Sequence, residues 1–418
     1  MSGRILRLAW RNLWFNPWRT LIAMAAIGLG YAMLLFVACL MAGLRQQMIE
    51  SGTRLVLSDI EVHAPDYYPD RPIHQTLGGR SGIEVSALIA AIAADRRVQA
   101  ASPRVYAYGL VSATRQSAGA QLLGVDPDLE QKITVLQTWM VKGSYLTGRM
   151  PKGIVMGDKL ATMIGVEVGS EVVLLTAAAD GSTGNDLYTV AGMFHTGLDA
   201  MDRGLVLMSL ASLQELLRLP PGRIHEVGIR VHDITAAAAT AAALELELSK
   251  TLPVRVSPWP ELAPELADYV QFNLRVTFIL SFIFFLLAAM GIVNTMLMAI
   301  VERTRELGML MAVGMRPIQM VGLIVAEAAN LAGASLILGG VLASPLLWYL
   351  QAHGLNLGRN GGAVSLAGII VGPVWYGQQD FTAYAQAALG LAVTALVSAL
   401  YPAMRAARFQ PADALRKV

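Results

Sequence analysis

Of the 418 residues, 55% are hydrophobic and the mean hydropathy is +0.51, yet 15% are charged, more than a bare bundle of membrane helices needs; a membrane protein carrying a large soluble part fits both figures. A formal charge of +2 is too small to argue for nucleic acid as a partner. The one cysteine, Cys39, excludes an intrachain disulfide and a multi-cysteine zinc site.

Residues 1–19 carry Arg4, Arg7, Arg11 and Arg19 with no acid, interleaved with Trp10, Trp14, Phe15 and Trp18. That is an amphipathic basic segment suited to the cytoplasmic face of a membrane. Residues 20–43 are uncharged and long enough for a first crossing, TM1, which takes about 20 apolar residues. A secretory signal peptide is the rival reading, but its apolar core runs to only about 7–15 residues. Phe36-Val37-Ala38-Cys39 faintly resembles a lipobox; the length of the run and the bulk of the residues before the cysteine stand against cleavage there.

Residues 44–275 contain no segment able to span a bilayer and are expected to form one soluble body on the far side of the membrane. Its ends, 44–120 and 224–275, read as α/β. A strand is expected at 54–63, a helix at 85–94 and one or two strands at 100–113; later come a strand at 226–232, an Ala- and Leu-rich helix at 234–250 and a strand at 254–257. The insertion 121–223 reads mainly β, with strands at 153–156, 171–176, 188–194 and 205–208 and short helices at 158–164 and 210–219.

Residues 276–301 carry no Asp, Glu, Lys or Arg, and 318–352 carry only Glu327, so TM2 and TM3 enclose the charged stretch ERTRELGMLMAVGMRP at 302–317. That stretch must return to water between two crossings. At helical period Leu307, Leu310, Met311, Gly314 and Met315 share one side, while Glu302, Arg303, Arg305 and Glu306 crowd the first turns. Pairs three apart, Glu302 with Arg305 and Arg303 with Glu306, each contribute about 0.2–0.5 kcal/mol. The bland reading is a solvated hairpin or a helix at headgroup level; the sharper one is a helix docking into the groove of a soluble partner.

In 318–352 Pro345 is expected to mark a kink or boundary, and 329–340, rich in Ala and Gly, a close-packing face. Glu327 lies about 15 Å into the helix. The reading favoured for it is a carboxylate near the interface, paired with a base or with backbone groups, over a coupling or proton-linked role. Residues 353–382 form a Gly-rich loop, 383–404 the last uncharged run, TM4, and 405–418 a basic tail with Arg405, Arg408, Arg416 and Lys417. Lys and Arg concentrate at both termini and in 302–316, against only Arg359 in the far-side loop, so the termini and the charged stretch are expected in the cytoplasm. The fold expected is an α-helical membrane protein of four transmembrane helices with a large extracytoplasmic α+β domain inserted between the first and second.

The stretch ERTRELGMLMAVGMRP resembles the cytoplasmic coupling segment of the MacB-FtsX superfamily of ABC transporter permeases, and the closing ALYPAMRAARFQPADALR is similar to their usual end. LLGVDPDLEQ (122–131), GIVMGDKLATMIGVEVGSEV (153–172) and MFHTGLDAMDRG (193–204) resemble segments of the lipoprotein-releasing, Lol-type members, and the likeness covers nearly the whole chain. The resemblance implies a bacterial inner-membrane permease with a periplasmic main domain. It also implies a coupling helix contacting an ATPase through Glu302, Arg303, Arg305, Glu306, Leu307, Gly308, Leu310, Met311 and Gly314. Two ATPase subunits holding ATP and Mg, a second permease copy or a paralogue, and a lipoprotein or periplasmic carrier would complete the system in contact with membrane lipid.

No G-x-x-x-x-G-K-[ST], HExxH or G-x-S-x-G occurs, so neither catalysis nor a cofactor or metal is expected on this chain. The six histidines, His63 and His74 among them, are expected at the surface, and Asp199 and Asp202 to serve a turn rather than a metal. Two other functions remain open: regulation of a periplasmic cell-wall hydrolase in the manner of FtsX, and efflux in the manner of MacB, which normally comes with a fused ATPase. A membrane enzyme is the weakest reading.

Overall fold

The computed structural model describes residues 2–55, 57–79, 83–114, 116–148, 150–250, 252–356, 364–366, 369–371 and 374–408; of 2–6, 364–366 and 369–371 it describes the backbone alone. The side chain of Arg4, together with Arg359, Arg416, Lys417 and the end of the closing motif, lies outside these. In chain order the helices are α1 (Ser2–Leu13), α2 (Pro17–Leu55), α3 (Val85–Ala93), α4 (Pro127–Glu130), α5 (Asp158–Ile164), α6 (Asp199–Gly204), α7 (Leu210–Leu216), α8 (Ala237–Leu248), α9 (Trp259–Leu262), α10 (Pro264–Glu302), α11 (Thr304–Ala312), α12 (Pro317–Ala352) and α13 (Phe381–Ala407). The chain divides into two units: Met1–Gln46 with Gln271–Gly361 and Pro373–Val418, and Gln47–Val270 with Gly362–Gly372.

In the first unit four helices, α2, α10, α12 and α13, are long and apolar enough to cross a membrane. α2 and α10 each run 39 residues, about 58 Å at 1.5 Å per residue, well beyond a hydrocarbon core of about 30 Å. Their core is built on small side chains: Ala328, Ala332 and Ala343 of α12 and Ala387, Ala395 and Ala399 of α13 are buried together with Tyr31, Leu34 and Ile292. Small residues let backbones approach, which is how helices gain contact where lipid supplies no hydrophobic drive. The approach is tightest between Gly28 and Gly339, where a Cβ on Gly339 would stand 2.4 Å from the Gly28 carbonyl oxygen. Pro345, expected as a kink or boundary, lies inside the unbroken α12. The Gly-rich loop pairs Leu355–Asn356 with Val374–Trp375 in this unit, and its strands Val364–Leu366 and Ile369–Val371, which pair with each other, belong to the second.

The second unit is organised by a ten-stranded sheet: β1 (Ile60–His63), β2 (Val98–Ser112), β3 (Ser117–Val125), β4 (Met140–Gly143), β5 (Gly153–Gly157), β6 (Glu171–Ala177), β7 (Thr183–Phe194), β8 (Leu205–Ser209), β9 (Glu226–Val231) and β10 (Arg255–Pro258). The order runs β10-β1-β9-β2-β3-β8-β5-β7-β4, with β6 bridging β2 and β7. The two strand-helix-strand ends supply β1, β2, β9 and β10, all paired antiparallel. β2, 15 residues long, pairs β9 along its first half and β3 and β6 along its second, so one strand serves both the α/β part and the β-rich insertion. Residues 54–63 do not form one strand: Arg54 and Leu55 end α2, and only Ile60–His63 is extended.

Where β1, β2 and β9 meet, the sheet buries a charge cluster. Arg104 is wholly buried, with Nη2 2.6 Å and Nε 3.2 Å from the Glu130 carboxylate, and Nη1 3.9 Å from Glu61 and 3.7 Å from Glu226. Glu61 accepts from Tyr68 at 2.7 Å and from Ser58 at 3.1 Å. Neither Glu226 oxygen meets a donor in hydrogen-bonding geometry. Burial, and then the neighbouring Glu61 charge, push the Glu226 carboxyl up to about 8. A second buried pair, Arg230 with Asp59 at 2.7 Å, ties β9 to the segment before β1. His63 and His225 are fully buried here instead of at the surface. His63 spans Ala64 and Ser257, while His225 accepts from the Tyr106 N–H at 2.9 Å and donates through Nε2 to the Ile73 carbonyl at 2.9 Å. Polar neighbours decide their placement, and those are invisible to spacing.

Candidate functional site

Only Arg303 separates α10 from α11. It sits at φ −105°, ψ 16° and makes no side-chain cap, while its carbonyl accepts from the Leu307 N–H at 3.0 Å. α11 closes on a left-handed Gly314, φ +108°: the Gly314 N–H donates to the Met311 carbonyl at 3.1 Å and the Met315 N–H to the Leu310 carbonyl at 3.0 Å. These two hydrogen bonds satisfy two carbonyls that a helix end otherwise leaves free, and they require the conformation glycine adopts without strain. Pro317 then occupies the first turn of α12, where its missing N–H costs nothing.

The helix turns its apolar stripe inward. Leu307 is 3% exposed, packed with Ile300, Met320 and Ile324 and with Ala403 and Ala406 of α13, and Leu310, Met311 and Met315 lie against the same cluster. Gly308 is buried too. Leu307 and Gly308 therefore anchor α11 to its own chain, while Leu310 and Met311 pack against the same cluster and stay half-buried. The nearest apolar surface is that of α12 and α13, and Leu307 is buried there while Leu310, Met311 and Met315 lie half-buried along it. The outward face carries Arg305, Met309, Ala312 and Val313, the last 89% exposed, with Glu302 and Gly314 at its two ends. Met309 and Val313 stand in the motif, but their spacing alone could not say which apolar residues the fold would leave free.

At the root of α11 the charges form a node. The Arg303 guanidinium donates from Nε to Glu306 at 2.9 Å and from Nη1 to Glu327 at 3.3 Å. Glu327, 7% exposed, also accepts from Asn12 at 2.7 Å. Glu302 pairs with Arg19 at 2.5 Å and not with Arg305, while Arg19 reaches the Thr295 carbonyl with its other nitrogen. A cleft of about 150 Å³ opens among these groups, with Phe15 and Asn16 on its wall. The base that offsets Glu327 is thus Arg303, and sequence reasoning missed Asn12, 315 positions away, because nothing local marks it.

Among the described residues one group has the donor types of a metal site: Asp158, His195 and Asp202. Its own hydrogen bonds explain it better. Asp202 accepts from the Thr196 N–H and hydroxyl, both at 2.8 Å, and from the Gly197 N–H at 2.9 Å, closing the turn before α6. His195 Nδ1 lies 3.0 Å from Asp158, and Lys159 Nζ stands 4.0 Å from Asp202, where a cation would be repelled.

Residues 20–246, more than half the chain, match the family model of the MacB-like periplasmic core domain, and residues 278–411 match that of the FtsX-like permease C-terminal region. The chain belongs to the MacB-FtsX family of ABC transporter permeases. The permease is 24% identical over 424 residues to a lipoprotein-releasing system transmembrane protein LolC of Xylella fastidiosa and 26% identical over 426 residues to one of Neisseria meningitidis, in each case across 99% of this chain and 97% of the relative. A LolE of Haemophilus influenzae is 24% identical over 76% of this chain and 77% of its own. Among solved structures, the periplasmic region of MacB from Actinobacillus actinomycetemcomitans is similar over 50% of the permease and 92% of that chain, at 11% identity and a TM-score of 0.35. The extracellular domain of YknZ is similar over 47% and 98%, at 11% and 0.33.

Proposed function

We propose that the permease supplies no chemistry and converts ATP hydrolysis on a separate ATPase subunit into movement of its large soluble unit, releasing lipoprotein from the inner membrane. The observation that carries this reading is α11: a short helix between two apolar ones, locked to its own chain by one face and leaving Arg305, Met309, Ala312 and Val313 free on the other. Such a stripe suits a shallow groove on a soluble partner. The partner must grip it differently with and without ATP, since equal affinity for two states shifts neither. The likeness to LolC over nearly the full length of both chains supports lipoprotein as the cargo and a second permease subunit in the assembly. The distribution of Lys and Arg supports a cytoplasmic α11 and cytoplasmic termini.

Val313→Asp tests the docking face without touching the buried stripe. The variant is expected to fold normally, lose the ATPase subunit on purification and stop releasing lipoprotein from reconstituted membranes. Retention of both would overturn the reading. If wild-type permease engages an ATPase but a cell-wall hydrolase co-purifies with its soluble unit in place of lipoprotein, the FtsX-like function takes its place.

A further inference from the structure

We propose that Glu327 is a positioning residue that locks the root of α11 to α12 and to the end of α1, so that displacement of α11 is passed to both and not lost at the Arg303 joint; the inference rests on the coupling role proposed for α11. With one residue between α10 and α11, and no side-chain cap there, the direction of α11 depends on what holds the Arg303 side chain. That side chain is held at two points of its planar fork: Nε by Glu306, one turn along α11, and Nη1 by Glu327 in α12. Two-point contacts to a guanidinium fix orientation as well as distance. Glu327 in turn holds Asn12 near the end of α1, and beside it Arg19 clamps Glu302, the last residue of α10.

An acid at this depth in an apolar helix is costly unless paired, and a well-packed apolar residue would serve stability as well or better. What the carboxylate adds is geometry. It touches both the joint residue and the end of α1, and it is only 7% exposed.

The test uses full-length permease with Cys39, its only cysteine, changed to Ala, and spin labels at Trp10 on α1 and Met309 on α11, both exposed. The distance distribution is expected to be narrow in the otherwise unaltered protein, to broaden in Glu327→Gln and Asn12→Ala, and to narrow again in Glu327→Asp. In the reconstituted complex with its ATPase, Glu327→Gln should keep the subunit bound and hydrolysing while cargo released per ATP falls by roughly tenfold, the scale of one charge-assisted hydrogen bond. An unchanged distribution in both Glu327→Gln and Asn12→Ala overturns the proposal, as does broadening with release per ATP unaltered. Asn12→Ala serves if the glutamine variant does not fold. The label measurement needs no ATPase, so failure of the lock is distinguishable from failure of α11 to engage an ATPase at all.

Discussion

Glu226→Gln separates a proton held by the fold from an ordinary buried polar contact. In the native protein the Glu226 carboxyl is pushed from its usual 4.5 up to about 8, first by burial and then by Glu61. The folded state keeps a proton that the unfolded chain gives up above about pH 4.5. The stability this group supplies is therefore complete below that value, falls as pH rises and is exhausted once pH passes about 8. Across that window the loss is one proton's worth, about 1.4 kcal/mol per pH unit, or about 3 kcal/mol across two units. Glutamine carries no proton to lose, so the variant should gain on the wild type by that slope. The assay is hydrogen exchange of the β1 and β9 amides in full-length protein at about pH 5.5 and 7.5, corrected for intrinsic exchange. Parallel pH dependences for the two proteins would refute the assignment of a protonated Glu226.

Arg104→Met, which strands Glu130 in the same cluster, should cost about 3–5 kcal/mol, measured by protease resistance of the soluble unit. Leu307→Ala should destabilise the helical unit by about 2–5 kcal/mol on thermal unfolding, whereas Val313→Ala, exposed on the same helix, should stay within about 0.5 kcal/mol. Gly339→Leu has no room against Gly28 and should lower the midpoint of thermal unfolding in detergent, with Gly340→Leu, which meets open space, as its control.

What could be read from the sequence followed from how each signal is written. Charge-free runs mark lipid contact, so the four apolar helices were visible, but not their ends: α2 continues through Arg45, Glu50 and Arg54 because polarity ends contact with lipid without ending a helix. The same continuation displaced the start of the strand expected at 54–63. Local periodicity located α5, β5, β6 and β8 closely, and it found the stripe of α11 as well. It could not tell whether Leu307 or Val313 would be free, since that depends on α12 and α13 passing beneath. The pairings of Arg104 with Glu130 and of Asn12 with Glu327 join residues 26 and 315 positions apart, and no pattern of residue types announces them.

The backbone meeting of Gly28 with Gly339 gives α12 a fulcrum. The close carbonyl prevents nearer approach, with the Tyr31 and Leu338 side chains at the edge of the contact. Measured at 1.5 Å per residue, the arm from Pro317 to that point is about 33 Å and the arm beyond it to Ala352 about 20 Å. A sideways push near Pro317 would emerge at Ala352 reversed in direction and reduced by about two fifths, trading travel for force.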